Sequence, residues 1–182
     1  WPYAIAPAVV GVMANYFFSE RFGLLYHLFN NLWGFNWYES VFDSYIYLII
    51  AGSWKQISAN FIFFLAGLQA IQRSVIEASM IDCKNSIRRF WTITFPLLMP
   101  TTFFLIIINI TYAFFDTFGI IDTTTIGAPS GETRTLVYKA YMDGFRGLDL
   151  GSAGAQSIMM MFIVLFITIF QFRYIEGRIH YN

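Results

Sequence analysis

The chain has 182 residues, of which 57% are hydrophobic, 20% aromatic and only 12% charged. Because soluble domains carry roughly a quarter charged residues, this composition excludes an ordinary water-soluble globular domain and favours lipid as the solvent. The formal net charge is zero, so no basic excess is present to neutralise phosphates, and nucleic acid is excluded as a partner. The single cysteine, Cys83, excludes a disulfide framework within the chain.

Four stretches are apolar enough to be predicted as membrane spans: residues 1–18, 45–69, 97–115 and 151–172. About 20 helical residues cross a hydrocarbon core of about 30 Å, and a lipid-exposed open sheet cannot satisfy its backbone. The sequence therefore predicts an all-α polytopic membrane protein, with residues 1–182 forming a single transmembrane domain. Because Trp1 lies inside an apolar stretch without an initiator methionine, we expect further helices upstream.

The charges between these stretches predict an orientation. The segment 70–95 and the tail after residue 172 are relatively rich in basic residues, whereas the segments 19–44 and 116–150 contain more acids than bases. Since basic residues favour the cytoplasmic side, the segment 70–95 and the C-terminus are predicted to be cytoplasmic, and the segment 116–150 to be an external loop. Trp33 and Trp37 in the first external segment are predicted as interfacial anchors, with a ligand lid as the alternative.

Signatures of catalysis are missing from the sequence. It contains no glycine-rich phosphate loop ending in Lys-Ser or Lys-Thr. His27 and His180 lie on opposite sides of the membrane in the predicted topology, so they cannot share a metal ion. We therefore expect neither catalysis by this chain alone nor a metal site.

The cytoplasmic segment contains a predicted short helix. Ser74-Val75-Ile76-Glu77 fits a capping box, in which Ser74 caps the helix and Glu77 reaches back to it. Glu77 in the first turn would also interact favourably with the helix dipole. Two interpretations stay open from these residues alone: a helix whose Glu77 has only a local role, or a helix that docks onto a partner.

The same segment resembles a known signature. Glu77-Ala78-Ser79, then Asp82, and later Phe90, Ile93, Pro96 and Pro100, is similar to the cytoplasmic motif of permease subunits of binding-protein-dependent ABC importers. In that family the segment forms the coupling helix that docks onto the ATPase subunit. The resemblance implies that Ser74, Glu77, Ala78, Ser79, Asp82 and Cys83 form the ATPase-coupling segment.

Three residues depart from the signature. Ser79 replaces a second alanine, Gln72 stands where proline is usual in carbohydrate-type permeases, and Cys83 replaces a glycine. A glycine after the helix would allow a left-handed turn, which costs roughly 1–2 kcal/mol for a residue with a Cβ atom. Asn85 is the alternative residue for that turn.

The resemblance implies more than the coupling helix. It implies the ABC importer permease fold, with the last four of about six helices in this chain. It also implies a bacterial or archaeal cytoplasmic membrane, a second permease subunit, an ATPase dimer and an external substrate-binding protein. This chain would hold no cofactor, because ATP and Mg²⁺ would bind to the partner ATPase.

The cargo is a separate question. Segments such as Trp54-Lys55-Gln56-Ile57-Ser58 and Gln171-Phe172-Arg173-Tyr174 resemble permeases of sn-glycerol-3-phosphate importers, which implies that cargo. A neutral sugar or oligosaccharide is the alternative, and a secondary transporter without an ATPase is a further one.

Polar residues within the spans are candidates for a substrate pathway. They are Lys55, Asn60, Asn109, Tyr112 and Asp116. Polar side chains are costly in a bilayer and often mark substrate routes, and the ammonium of Lys55 suits an anionic phosphate. The alternative is structural: Lys55 pairs with a helix end or a carboxylate upstream, and Asn109 bridges two helices.

Overall fold

The computed structural model describes residues 1–83 and 85–175, whose regular structure is helical. Its α-helices are α1 (Pro7–Phe17), α2 (Leu24–Trp33), α3 (Val41–Ala70), α4 (Arg73–Asp82), α5 (Ser86–Arg89), α6 (Phe95–Leu97), α7 (Met99–Phe115), α8 (Phe118–Thr123), α9 (Leu136–Tyr141) and α10 (Leu150–Ile175). A 3-10 turn covers Pro2–Ala4, and π-helical turns cover Phe90–Thr94 and Met142–Arg146. The all-α prediction is confirmed. Lys84 and the predicted cytoplasmic tail from residue 176, with His180, lie outside the described residues.

Two helices are long and apolar enough to cross a membrane without a break. They are α3, with 30 residues, and the segment Leu150–Arg173 of α10, with 24 residues. At 1.5 Å per residue, α3 is about 45 Å long, which exceeds a hydrocarbon core of about 30 Å. Its start is capped by Ser40, whose hydroxyl oxygen accepts a hydrogen bond from the backbone N–H of Asp43 at 3.3 Å. The spans predicted at 45–69 and 151–172 are confirmed as helices of spanning length.

The third predicted span, over 97–115, does not reach spanning length alone, contrary to the prediction. Helix α7 has 17 residues and reaches spanning length only together with the helical stretch Ser86–Leu97, from which it diverges by 69°. The bend lies at Leu98, between Pro96 and Pro100. Proline lacks the backbone N–H that continues a helix and is tolerated in a first turn, which is where Pro100 lies in α7.

The first predicted stretch, over 1–18, is not one continuous helix. Helix α1 has 11 residues, about 16 Å, and the backbone is extended at Ile5 and Ala6 before it begins. Pro7 explains the break, because a proline disfavours the helical conformation of the residue before it. Within the described residues, two helices are long and apolar enough to cross a membrane unbroken, and there are three spans if the bent pair counts as one.

Helix α7 packs against both α3 and α10, while α1 packs closely against α8. Small residues permit the close approach of α3 and α7. A Cβ atom added to Gly67 on α3 would lie 2.7 Å from the Thr101 hydroxyl oxygen on α7. This is the packing of small residues that brings helices together where water does not drive association.

An aromatic cluster surrounds the N-terminal end of α3. Its buried members are Phe18, Tyr26, Phe35, Trp37 and Tyr47. The Trp37 indole N–H donates to the Phe18 carbonyl at 3.0 Å, and only 4% of Trp37 is exposed. The prediction of Trp37 as an interfacial anchor is therefore wrong.

Trp33 is 75% exposed on α2, a position that suits an interfacial anchor.

The burial of Tyr26, with its hydrogen bond to Glu20 at 3.2 Å, raises the pKa of this tyrosine above its ordinary value. Tyr26 therefore stays a neutral donor, and the Glu20 carboxylate is tied to the aromatic cluster.

Candidate functional site

A cavity of about 490 Å³ lies between α3, the C-terminal end of α7, α8 and the chain just before α9. The described residues that line it are all uncharged. The polar lining residues are Tyr45, Ser53, Gln56, Asn60, Asn109, Tyr112, Thr117, Thr133 and Thr135. Concave sites with a few convergent polar groups are typical of ligand binding, so this cavity is the candidate site.

Helix α3 supplies one continuous face of the cavity. Ile49, Gly52, Gln56 and Asn60 follow each other at intervals of three or four residues, the spacing that places side chains on one side of an α-helix. Tyr45 closes the same face at the beginning of the helix, where its hydroxyl donates to the Glu132 carbonyl at 2.7 Å. The chain before α9 is thereby held against α3.

Asn60 and Asn109 form a reciprocal pair between α3 and α7. The Asn60 Nδ2 donates to Asn109 Oδ1 at 3.1 Å, and the Asn109 Nδ2 donates to Asn60 Oδ1 at 2.7 Å. Asn109 also donates to the Leu105 carbonyl at 2.7 Å. The structural alternative for Asn109, a bridge between helices, therefore describes the observed contact.

The same two asparagines also border a second depression, which extends to Phe64 and Thr102. Because Asn60 lies between the part of α3 that lines the cavity and Phe64, the pair separates the two concavities.

Three buried polar atoms at the cavity have no hydrogen-bond partner among the described residues. They are Gln56 Oε1, the Tyr112 hydroxyl and Thr135 Oγ1. Only 5% of Gln56 is exposed. A buried polar group without a partner costs about 1–3 kcal/mol, and these three atoms are left without one by the part of the chain that the structure describes.

Lys55 and Asp116 do not line this cavity. Lys55 is 6% exposed, its Nζ donates to the Tyr3 carbonyl at 3.0 Å, and it lies 4.8 Å from the centroid of the Tyr3 ring. Tyr3 belongs to the turn Pro2–Ala4, so Lys55 contacts a helix end, as in the structural alternative. Asp116 is exposed after the last residue of α7. A pathway role for these two residues stays a prediction.

Helix α4, which contains the coupling signature, does not start as predicted. It begins at Arg73 after Gln72, whose backbone is extended and whose side chain makes no capping bond. Ser74 is thus the second helical residue and Glu77 the fifth. The predicted capping box, and the position of Glu77 in the first turn, are therefore wrong.

Most of the surface of α4 is exposed. Glu77 and Ala78 are exposed, and the apolar side chain of Ile81 is 83% exposed. Ser79 is buried, and its hydroxyl donates to the Ile76 carbonyl at 2.6 Å. The side chain of Asp82 is outside the described part of the structure. The helix thus presents both a carboxylate and an apolar side chain on its surface.

The turn after α4 also differs from the prediction. Cys83 has φ −128° and ψ 99°, an extended conformation open to any residue. Asn85 has φ −84° and caps α5, accepting a hydrogen bond from Ile87 N–H at 3.0 Å. Neither residue adopts the expected left-handed turn, so replacing glycine by Cys83 causes no strain here.

Several residues of the cavity were not identified from the sequence: Gln56, Thr133 and Thr135. Gln56 could have been identified from the sequence, because it lies four residues before Asn60 and therefore on the same face of the helix. Thr133 and Thr135 could not, since they reach the cavity through the fold of the segment between α8 and α9. There, Thr133 donates to the Ala128 carbonyl at 2.7 Å and contacts the Thr125 hydroxyl at 3.0 Å.

The spanning helices, the exposed helix between two of them and the polar cavity define a class of protein: an α-helical membrane transport component. The family model described as binding-protein-dependent transport system inner membrane component matches residues 2–181, and the chain belongs to that family. The resemblance seen in the sequence is thereby confirmed.

Individual relatives are similar over the whole chain. It is 52% identical over 184 residues to the sn-glycerol-3-phosphate transport system permease protein UgpA of Rhizobium meliloti. The protein of the same name from Brucella abortus is 51% identical over 185 residues, and that from Escherichia coli O157:H7 is 47% identical over 183 residues. These alignments cover 100% of this chain, which spans 62% of the length of the relatives.

Proposed function

We propose that this chain belongs to a permease subunit that imports sn-glycerol 3-phosphate, driven by ATP hydrolysis on a partner ATPase. The observation that carries the proposal is the similarity of the entire chain to permeases named for sn-glycerol-3-phosphate transport. The complex would contain a second permease subunit, an ATPase dimer and an external binding protein. ATP and Mg²⁺ would bind only to the ATPase.

The exposed helix α4 supports the coupling role. It lies between α3 and the helical stretch that leads into α7, so a force on α4 acts on two neighbouring elements of the transmembrane part. Glu77 provides a charge, and Ile81 provides an apolar side chain that a protein groove would bury. Closure of the ATPases would push on α4, and the spans would then change the side on which the cavity opens.

The cavity supports the transport role of α3 and α7. Asn60, Asn109 and Tyr112 lie together along it, and polar groups within a membrane domain are a usual feature of substrate routes. Its uncharged lining also favours a second candidate cargo, a neutral sugar, because hydroxyl groups need hydrogen bonds rather than a counter-ion.

A competition experiment separates the two cargoes. The full-length complex is purified with its ATPase and binding protein, and uptake of labelled sn-glycerol 3-phosphate is measured in proteoliposomes. We expect unlabelled sn-glycerol 3-phosphate to suppress the signal and maltose-like sugars at the same concentration to leave it unchanged. No specific uptake of the phosphate ester, together with specific ATP-driven uptake of a labelled maltose-like sugar, would show that the cargo is a neutral sugar.

A further inference from the structure

We infer that the cavity wall of this chain binds the uncharged, hydroxyl-bearing part of the cargo, and that the phosphate group is bound by residues outside this wall. The inference rests on the proposed import of sn-glycerol 3-phosphate. It assigns a recognition role to Gln56 and Thr135, and it gives the two ends of the cargo different binding partners.

The first argument is charge. Among the described residues, no lysine, arginine or histidine lines the cavity, and an ionised phosphate taken from water into such surroundings would lose its hydration without gaining a counter-charge. Lys55, although next to Gln56 in the chain, is directed to the Tyr3 carbonyl at 3.0 Å. The wall therefore suits a neutral group, and the phosphate requires donors from another surface.

The second argument is the arrangement of polar atoms. Among the described residues, five buried side-chain polar atoms lack a hydrogen-bond partner, and three of them belong to residues that line this cavity. Gln56 Oε1 accepts hydrogen bonds, while the hydroxyls of Tyr112 and Thr135 both donate and accept. Alcohol groups match this set, because each is at once a donor and an acceptor.

The test uses two substitutions at Gln56 in the full-length complex. Gln56→Leu removes the acceptor at similar size, and Gln56→Glu keeps an oxygen acceptor while adding a negative charge. If the wall binds hydroxyl groups, the KM for sn-glycerol 3-phosphate rises about three- to tenfold in Gln56→Leu, as expected for one lost hydrogen bond. The KM is expected to rise less in Gln56→Glu than in Gln56→Leu when both variants are measured at pH 8.

The opposite order would overturn the inference. A phosphate against this wall would be repelled by the new carboxylate, and juxtaposed like charges cost several kcal/mol, so uptake by Gln56→Glu would fall far below that of Gln56→Leu. An unchanged KM in both variants, or a lower yield of assembled complex with unchanged KM, would also overturn it. A lower yield of assembled complex with unchanged KM would mean that Gln56 contacts a residue of the second permease rather than the cargo.

Two further variants keep the test decisive if Gln56 proves necessary for folding. Thr135→Val removes one hydroxyl at nearly constant volume and is expected to raise KM about threefold or more; an unchanged KM contradicts the inference. Gln171→Leu is the matched control, because Gln171 is equally buried on α10 but does not line the cavity. Wild-type complex that fails to import sn-glycerol 3-phosphate would refute the proposed function itself, whatever the variants do.

Discussion

Asn60 on α3 and Asn109 on α7 each donate a side-chain hydrogen bond to the other, at 3.1 and 2.7 Å. This is a specific polar link between two helices that also contact each other through the rings of Phe63 and Phe104 and through Gly67 and Thr101. Because α4 lies between α3 and the stretch that leads into α7, we expect the link to make these two helices move together when α4 is displaced.

The interaction between Asn60 and Asn109 should be measurable as a coupling free energy. In Asn60→Leu or Asn109→Leu, the two hydrogen bonds between the amides are lost, although Asn109 can still donate to the Leu105 carbonyl in Asn60→Leu. The losses of stability in the two single variants should therefore add up to more than the loss in the double variant. We expect a coupling of about 0.6 kcal/mol, with about 1.7 kcal/mol as the upper end. The coupling energy is obtained from the free energies of unfolding, in detergent, of the full-length wild-type subunit, the two single variants and the double variant. Strictly additive effects would show that the two residues are not coupled.

Gly67 should be sensitive to any larger residue. In Gly67→Val, the new Cβ would lie 2.7 Å from the Thr101 hydroxyl oxygen, and overpacking of this kind costs typically about 1–3 kcal/mol. Gly154→Val is the matched control, since no heavy atom lies within 4 Å of its added Cβ. Thermal unfolding in detergent should show a lower Tm for Gly67→Val alone. Equal Tm values in the two variants would mean that α3 and α7 do not meet closely at Gly67.

Glu77 should be required for coupling but not for folding. Glu77→Lys reverses an exposed charge on α4, so the subunit should assemble while ATP-driven uptake falls at least tenfold. Glu39→Lys makes the same change at an exposed position in the segment before α3 and should retain uptake. Uptake normalised to assembled complex measures both. A Glu77→Lys complex that imports at the wild-type rate would exclude the docking role.

The predicted orientation is open to cysteine labelling. Ile87 and Phe145 are 72% and 75% exposed, and the charge bias places them on opposite sides. In a full-length subunit without other cysteines, Ile87→Cys should react with a membrane-impermeant maleimide only in inside-out vesicles. Phe145→Cys should react only in right-side-out vesicles. The reverse pattern would invert the topology.

The sequence predicted α3 and α10 well, because an unbroken apolar stretch of spanning length needs no tertiary information. At residues 1–18 and 97–115 it located apolar stretches but not the positions where their helices begin, because counting apolar residues does not show where a proline interrupts the helix. Pro7 separates α1 from the turn before it, and the bend at Leu98 lies between Pro96 and Pro100. Both breaks lie next to prolines, whose missing backbone N–H can be read from the sequence.

The predicted coupling segment was correctly predicted to contain a helix, but the first residue of that helix was predicted wrongly. Ser74 and Glu77 satisfy the residue pattern of a capping box, yet the extended backbone of Gln72 starts the helix earlier. The start of the helix depends on how the chain leaves α3, which local sequence does not encode.

The cavity was also only partly predictable from local sequence. The periodicity of α3 indicates Gln56, whereas Thr133 and Thr135 belong to a segment that is distant in the chain.

The most direct measurement is uptake of labelled sn-glycerol 3-phosphate into proteoliposomes that contain the full-length complex with its ATPase and binding protein. Uptake should require Mg-ATP on the side of the ATPase and the binding protein on the other, and it should persist when ion gradients are abolished. Uptake that proceeds without ATP and disappears with the ion gradient would contradict an ATP-driven importer.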